Sequence, residues 1–218
     1  MTLIVDADAV KIRSVSVAPM DNNVYLLTST KTGEQVLIDA ANDPSAILRL
    51  MDESAHDGPN ARLSVIVTTH EHSDHIQALA EIWRETGART ACGADDAAQI
   101  QAGTGVPADL RLEDGSMVKV GGITLAVIAL RGHTPGSIAL AYTEEGRPAQ
   151  IFTGDSMFPG GVGNTEGDQA RFESLLTDVE RRIFDVYPDD TVIWPGHGSS
   201  TTLGAERPHL REWWDRGW

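Results

Sequence analysis

The chain has little of three things, and each shortage closes a class of function. It holds a single cysteine, Cys92, among 218 residues, which excludes an intramolecular disulfide and agrees with a reducing compartment. The expected role of that thiol is a small buried hydrophobe. Positive charge is also scarce: 17 Lys and Arg stand against 32 Asp and Glu, a formal charge of −15 at pH 7. Such a molecule repels phosphate backbones and anionic lipid surfaces, so nucleic acid is not expected as a partner. Long hydrophobic runs are missing too, with nothing near the ~20 continuous apolar residues of a membrane span, so no membrane association is expected. The N-terminal "MTLIVDADAVKIRS" has only a short apolar run, no basic start, and acids at Asp6 and Asp8, unlike a signal peptide. A cytoplasmic protein is the expectation. With 41% hydrophobic and 22% charged residues, the composition is that of a globular chain whose length suits one domain over 1–218.

What the chain does have is a recurrence of β-branched, extended segments: "VKIRSVSV" (10–17), "NVYLLTS" (23–29), "QVLIDA" (35–40), "SVIVTT" (64–69), "ITLAVIAL" (123–130), "SIALAYT" (137–143), "QIFTG" (150–154) and "TVIWPG" (191–196). They predict strands. "KTGE" around Gly33, "VGGI" at Gly121 and Gly122, and "EEGRP" before Gln150 mark tight connections, so hairpins are expected there. Helical periodicity is clearest from Asp168 to Phe184, where Phe172, Leu175, Leu176, Val179 and Ile183 recur at offsets of three and four, with Thr165 and Asp168 resembling a capping box. Shorter helices are expected over 44–53, over 75–86 with Ser73 or Asp74 as cap, and over 94–101. Strands interleaved with helices give an α/β (α+β) fold with two sheet faces to cover.

The histidines are clustered. "TTHEHSDH", Thr68 to His75, holds three of the seven. His70 and His72 are two apart and project to one side of an extended segment; His75 follows His72 by three, the spacing that shares a face once a helix begins. His133 in "RGHTPGS", Asp155 in "FTGDS" and His197 in "WPGHGS" each follow a predicted strand end, where ligand sites of open α/β sheets gather. Imidazole and carboxylate together suit Zn²⁺, Fe²⁺ or Mn²⁺. His70, His72, Asp74, His75, His133, Asp155 and His197 are too many for one tetrahedral ion and are suited to two. Gly132, Pro135, Gly136, Pro195, Gly196 and Gly198 allow sharp turns that aim these side chains inward. His56 and His209 lie outside every motif and are expected to be structural. The helical H-E-x-x-H motif is excluded, because position 74 is Asp.

These motifs, "THEHSDH" (69–75), "GHTPGS" (132–137), "TGDSMF" (153–158) and "PGHG" (195–198), resemble those of the metallo-β-lactamase superfamily and, within it, the glyoxalase II-like hydrolases; the order of strands and helices matches over nearly the whole chain. The resemblance implies a four-layer αβ/βα sandwich with a binuclear site, two Zn²⁺ first and Fe²⁺ or Mn²⁺ as other occupants. By it, His70, His72 and His133 hold one ion, Asp74, His75 and His197 the other, and Asp155 bridges them. Asp39, closing "VLIDA", matches the acid behind the site, where a carboxylate orients a ligating imidazole through its far N–H. Ala40 and Ala41 replace the usual Gly-containing continuation after that acid.

Two cations about 3.5–4 Å apart generate a nucleophile from water and polarise a carbonyl oxygen. The expected reaction is therefore hydrolysis of an activated acyl group on a small molecule, a thioester first and a lactone or other ester next. No protein nucleophile is required, and Asp74 can guide a proton besides holding metal. A mononuclear iron persulfide dioxygenase shares the motifs but uses His70, His133 and Asp155 around one ion. A β-lactamase is the next alternative, with Asp155 where the commonest group has cysteine; a binding module with a vestigial site is the third. The four-glycine segment 156–168 either borders the active site, as in the resembled enzymes, or forms a surface connection. True glyoxalase II enzymes extend further past "PGHG" with a helical substrate-binding region, whereas 20 residues follow Gly198 here, which leaves the carrier thiol open. Trp213, Trp214 and Trp218 of the tail are expected to seal an apolar edge or the contact of a homo-oligomer.

Overall fold

Strand pleating sorts the apolar residues into three cores. The computed structural model describes residues 1–217. Its first sheet runs in spatial order β1 (Thr2–Asp6), β2 (Val10–Val17), β3 (Asn22–Ser29), β4 (Glu34–Ile38), β5 (Arg62–Thr68), β6 (Arg89–Gly93) and β7 (Leu110–Leu112). The first four strands form an antiparallel meander. From β4 onward the pairs are parallel, which requires crossovers, and the helices α1 (Pro44–Glu53), α2 (Leu79–Thr86) and α3 (Ala97–Thr104) supply them.

The second half repeats the logic. β8 (Met117–Val120), β9 (Ile123–Ala129), β10 (Ile138–Tyr142) and β11 (Gln150–Gly154) are antiparallel neighbours. A small ribbon, β12 (Met157–Phe158) with β13 (Gly161–Val162), leads into α4 (Gln169–Val179). The crossover brings β14 (Val192–Pro195) parallel to β11, and β15 (Thr201–Thr202) closes the sheet. α5 (Leu203–Glu206) and α6 (Leu210–Arg216) end the described chain.

Alternate side chains of one strand enter different cores. On β3, Tyr25 and Leu27 join the core between the sheets, while Val24 and Leu26 join that under α1 and α2. On β10, Leu140 and Tyr142 face the first sheet, and Ala139 and Ala141 face α4. Helix, sheet, sheet and helix thus stack as a four-layer αβ/βα sandwich, because each sheet has two apolar faces to bury. The expected hairpins join β3 to β4, β8 to β9 and β10 to β11. Phe172, Leu175, Leu176, Val179 and Ile183 all lie in the third core. Beside them Trp213 is fully buried, and Trp214 stacks edge-on against Phe172 at 5.8 Å. Trp218 lies outside the described residues. Among the described residues, no helix is long and apolar enough to cross a membrane.

Three local expectations are corrected. The helix expected from His75 starts at Leu79, and neither Ser73 nor Asp74 caps it. Its leading amides are satisfied elsewhere, Gln77 N–H by Ala41 O at 2.8 Å and Ala78 N–H by Ala40 O at 3.0 Å, so residues 73–75 form a separate 3₁₀ turn that leaves the Asp74 carboxylate uncommitted to capping. Thr165 does not open a capping box: Asp168 is itself the N-cap of α4, accepting from Ala170 N–H and Arg171 N–H at 2.9 and 3.1 Å. The helix expected over 94–101 spans 97–104, because Ala94 N–H is drawn to Leu112 O in a turn before it.

Candidate metal centre

Five connections, the one leading into β3 and those after β5, β9, β11 and β14, meet at one edge of the sandwich. β5 delivers Thr69, whose N–H and hydroxyl donate to the two oxygens of buried Asp39 at 2.7 and 2.8 Å. Asp39 sits just past β4 with φ of 57°, a left-handed conformation that Asp tolerates. Fixed there, the chain turns through His70, His72, Asp74 and His75. The opposite sheet supplies His133, Asp155 and His197.

All seven expected residues converge. Ligand-type atoms lie within 4.8 Å of one another in three trios: His70, His72 and His133; His70, His75 and Asp155; and Asp74, His75 and His197. In the last, His75 Nε2 and His197 Nε2 are 3.2 Å apart, and Asp74 Oδ2 is 3.4 Å from the first and 3.2 Å from the second. Asp155 reaches both halves, with Oδ1 at 3.3 Å from His75 Nε2 and Oδ2 at 3.4 Å from His197 Nε2 and 3.8 Å from His133 Nε2. His56, in the turn after α1, and His209, which pairs with Glu212 at 3.4 Å, belong to none of the trios.

The far nitrogens decide what the near ones can do. His75 Nδ1–H donates to Asp39 Oδ2 at 2.9 Å, His133 Nδ1–H to Asn164 O at 2.7 Å, and His197 Nδ1–H to Met20 O at 2.8 Å. His70 Nδ1 lies 3.0 Å from the Thr69 hydroxyl; because that hydroxyl gives its own proton to Asp39, the ring must donate. In four rings the neutral tautomer therefore points an Nε2 lone pair into the cluster. His70 Nε2, His133 Nε2 and Asp155 Oδ1 are buried with no hydrogen-bond partner among the described residues. Lone pairs turned toward carboxylate oxygens repel one another, and a shared cation removes the repulsion. The donor set thus fits transition-metal ions.

The protonation equilibria carry the same tension. Burial, and then the neighbouring His75, lower the pKa of His70 well below its ordinary value, and burial also lowers His133. Burial would lower His75 as well, but Asp155 and Asp39 outweigh it and lift that ring to about 10. Burial pushes Asp155 up, yet the His197 and His75 rings, once protonated at Nε2, hold it below the carboxylate range. Proton and metal therefore compete for the same nitrogen.

Several supporting residues carry no motif. The Asn22 amide donates to Asp74 Oδ2 at 2.8 Å; burial would raise the Asp74 pKa, but Asn22 and His75 keep it low. Arg171 binds the carbonyls of Gly132 and His133 at 2.8 and 2.6 Å. Tyr25 O–H donates to Pro195 O at 2.7 Å. The 156–168 segment borders the cluster: Asn164 O receives the His133 proton, and Glu166 and Asp168 line a cleft of 630 Å³ together with Glu71, His72, Arg131 and His133. Ala40 and Ala41 are fully buried, and their carbonyls hold the start of α2.

Fold and donor set together define a protein with a histidine and carboxylate metal centre at the edge of an αβ/βα sandwich. The family model of the metallo-beta-lactamase superfamily matches residues 17–197, and the chain belongs to that superfamily. It is 35% identical over 179 residues to a hydroxyacylglutathione hydrolase of Cereibacter sphaeroides, an alignment covering 81% of this chain and 62% of the relative; the chain thus spans about three fifths of that relative's length. Among solved structures it is similar to ETHE1 from Myxococcus xanthus, with a TM-score of 0.77 and 25% identity over 93% of this chain and 84% of that one. TTHA1623 in a di-iron-bound form matches with a TM-score of 0.70 and 28% identity over 89% of this chain and 96% of that one.

Proposed function

We propose that the protein is a metal-dependent hydrolase that cleaves an activated acyl bond in a small molecule, foremost a thioester of the hydroxyacylglutathione kind, with two Zn²⁺ as its ions. The observation that carries the reading is the convergence of four imidazoles whose Nδ1–H groups are all committed, around two carboxylates. His70, His72 and His133 would hold one ion and Asp74, His75 and His197 the other, with Asp155 shared. Bound there, the ions would supply an ionisable water and polarise the acyl carbonyl.

The chain's own groups do the rest. Asn22 fixes Asp74 at the cluster, where the carboxylate can take and relay a proton. Asp39, Asn164 and Met20 hold the imidazoles in the ligating tautomer. The cleft beside His72 and His133, at 630 Å³, suits a small molecule. The charge of −15 argues against nucleic acid as a substrate, and we assign the protein to the cytoplasm, with a homo-oligomer left open to the tail. Purified protein should contain close to two transition-metal ions and hydrolyse a glutathione thioester faster than lactones or β-lactams, losing activity on chelation and in His70→Ala. Inactivity of the metal-loaded protein toward every acyl substrate would overturn the assignment.

One observation favours a second reading. The three buried atoms without partners, His70 Nε2, His133 Nε2 and Asp155 Oδ1, belong to the residues expected of a mononuclear iron persulfide dioxygenase. One iron per chain and oxygen uptake with a persulfide would select it.

A further inference from the structure

Among the loops at the site edge, the one following β6 provides no ligand, yet it carries a fully buried carboxylate, Asp96. Asp96 Oδ2 accepts the Thr134 hydroxyl at 2.6 Å and Glu71 N–H at 3.1 Å, and Oδ1 accepts Gly136 N–H at 2.6 Å. Glu71 lies between His70 and His72; Thr134 and Gly136 follow His133 by one and three residues. One carboxylate therefore ties the loop of the first sheet that carries His70 and His72 to the loop of the second sheet that carries His133. Beside it, one main-chain bond joins the same two segments, Ile138 N–H to Thr69 O at 2.9 Å, at the strand ends from which the loops leave; Asp96 bonds within the loops themselves, between and beyond the histidines.

The contact is built closely. A Cβ on Gly136 would overlap Asp96 N and lie 2.8 Å from its carboxyl carbon, and a Cβ on Gly93 would overlap the carbonyl of Gly136. Only glycine at both places lets the β6 loop approach the His133 loop near enough for these bonds. Losing Asp96 takes the acceptor from the Glu71 and Gly136 N–H groups, at a cost for each buried donor left unsatisfied, while the Thr134 hydroxyl keeps the Ser137 hydroxyl at 2.6 Å.

We infer that Asp96 is a positioning residue for the His70, His72 and His133 half of the metal centre: it sets the separation of the two loops that bear those ligands and contributes nothing to the Asp74, His75 and His197 half. The inference rests on the metal-centre reading above. If wild-type protein binds no transition metal, that reading fails; if wild-type binds metal and the Asp96 variants bind it equally well, only this inference fails.

The test is metal affinity by chelator competition, with Zn²⁺ as probe, in two backgrounds that isolate the halves: His197→Ala, which leaves the first, and His72→Ala, which leaves the second. Loss of a group bonded directly to a ligand weakens metal binding by about 10- to 100-fold; Asp96 bonds to the neighbours of the ligands and not to their rings, so Asp96→Ala should loosen Zn²⁺ by about 10-fold, the low end of that range, in the His197→Ala background and leave affinity unchanged in the His72→Ala background. Asp96→Asn, able to keep only some of the three bonds, should fall between. Thr134→Val removes one of the three donors, together with the contact to the Ser137 hydroxyl, and should loosen the same half by less. Asp57→Asn is the control for mere destabilisation, since Asp57 is buried and paired with Arg13 away from the ligands; it should lower the unfolding midpoint without changing metal affinity. Equal loosening of both halves, or unchanged affinity in folded Asp96→Asn and Thr134→Val, would overturn the inference.

Discussion

Replacing Asp39 with Asn tests whether the site depends on tautomer as well as on shape. Asn is nearly isosteric and tolerates the φ of 57° at this position, so the backbone is undisturbed. It can still accept Thr69 N–H, now made at 2.7 Å. The oxygen that receives both the Thr69 hydroxyl at 2.8 Å and His75 Nδ1–H at 2.9 Å becomes an NH₂ group, and two donors then face a donor. Because the His75 ring can shift its proton and accept from the new NH₂, the Thr69 hydroxyl is the group left unsatisfied, at a cost of about 1–3 kcal/mol. For a chain of this size the lower figure corresponds to about 2–4 °C in unfolding midpoint. His75 escapes by moving its proton to Nε2, which removes the lone pair aimed at Asp155 and Asp74. Metal held by Asp74, His75 and His197 should loosen by about 10- to 100-fold, whereas metal held by His70, His72 and His133 should change less. Denaturant unfolding and chelator competition on the same preparation read the two effects. An Asp39→Asn protein with wild-type affinity in both halves would refute the tautomer reasoning even if it were less stable.

Gly196→Ala should impair the same half-site by overlap, since a Cβ there would run into Asp155 Oδ1 and lie 2.7 Å from His75 Cε1; metal analysis should show loss from that half with the fold retained by circular dichroism. Trp213→Ala should lower stability by about 3–5 kcal/mol, because the ring is fully buried beside Phe184 at a 6.1 Å centroid distance, while metal content per folded molecule stays constant. Trp213→Phe should cost less, as its indole N–H has no partner among the described residues. Cys92 is 2% exposed and burial lifts its thiol to about 11, so a thiol reagent at pH 8 should label it only after denaturation; prompt labelling of the folded protein would contradict the packing.

The clustered histidines and acids were legible because three of the chain's seven histidines fall within eight residues and each motif abuts a strand whose β-branched run is plain. Their supports were not. The acceptors for His133 and His197 are the main-chain carbonyls of Asn164 and Met20, and any residue has a carbonyl, so no side-chain identity announces the role. Asn22 opens β3 one residue before the apolar run from which the strand was inferred, and its amide acts on Asp74, 52 positions away. β6, "RTACG", has one β-branched residue and becomes a strand through parallel pairing with β5 and β7, a tertiary effect that local propensity does not register. The late start of α2 has the same origin, since the Ala40 and Ala41 carbonyls that take its leading amides come from another crossover.

The two halves of the centre share an architectural consequence. His70, His72, Asp74 and His75 all come from the loop after β5 in the first sheet, and His133, Asp155 and His197 all come from the second, so each half takes ligands from both. Direct hydrogen bonds already join the sheets at this edge: Ile138 N–H to Thr69 O at 2.9 Å, Asn23 N–H to Gly196 O at 2.7 Å, and Tyr25 O–H to Pro195 O at 2.7 Å. The apolar core between the sheets fixes their separation but, being non-directional, not the register of one edge against the other. Those polar links supply the register. A cation held in either half would tighten it further, because anything that binds the folded arrangement alone adds its binding free energy to folding. Every ligand therefore stands beyond a strand end for a mechanical reason as well as a chemical one: only there can side chains from two stacked sheets reach a common point without interrupting the core between them.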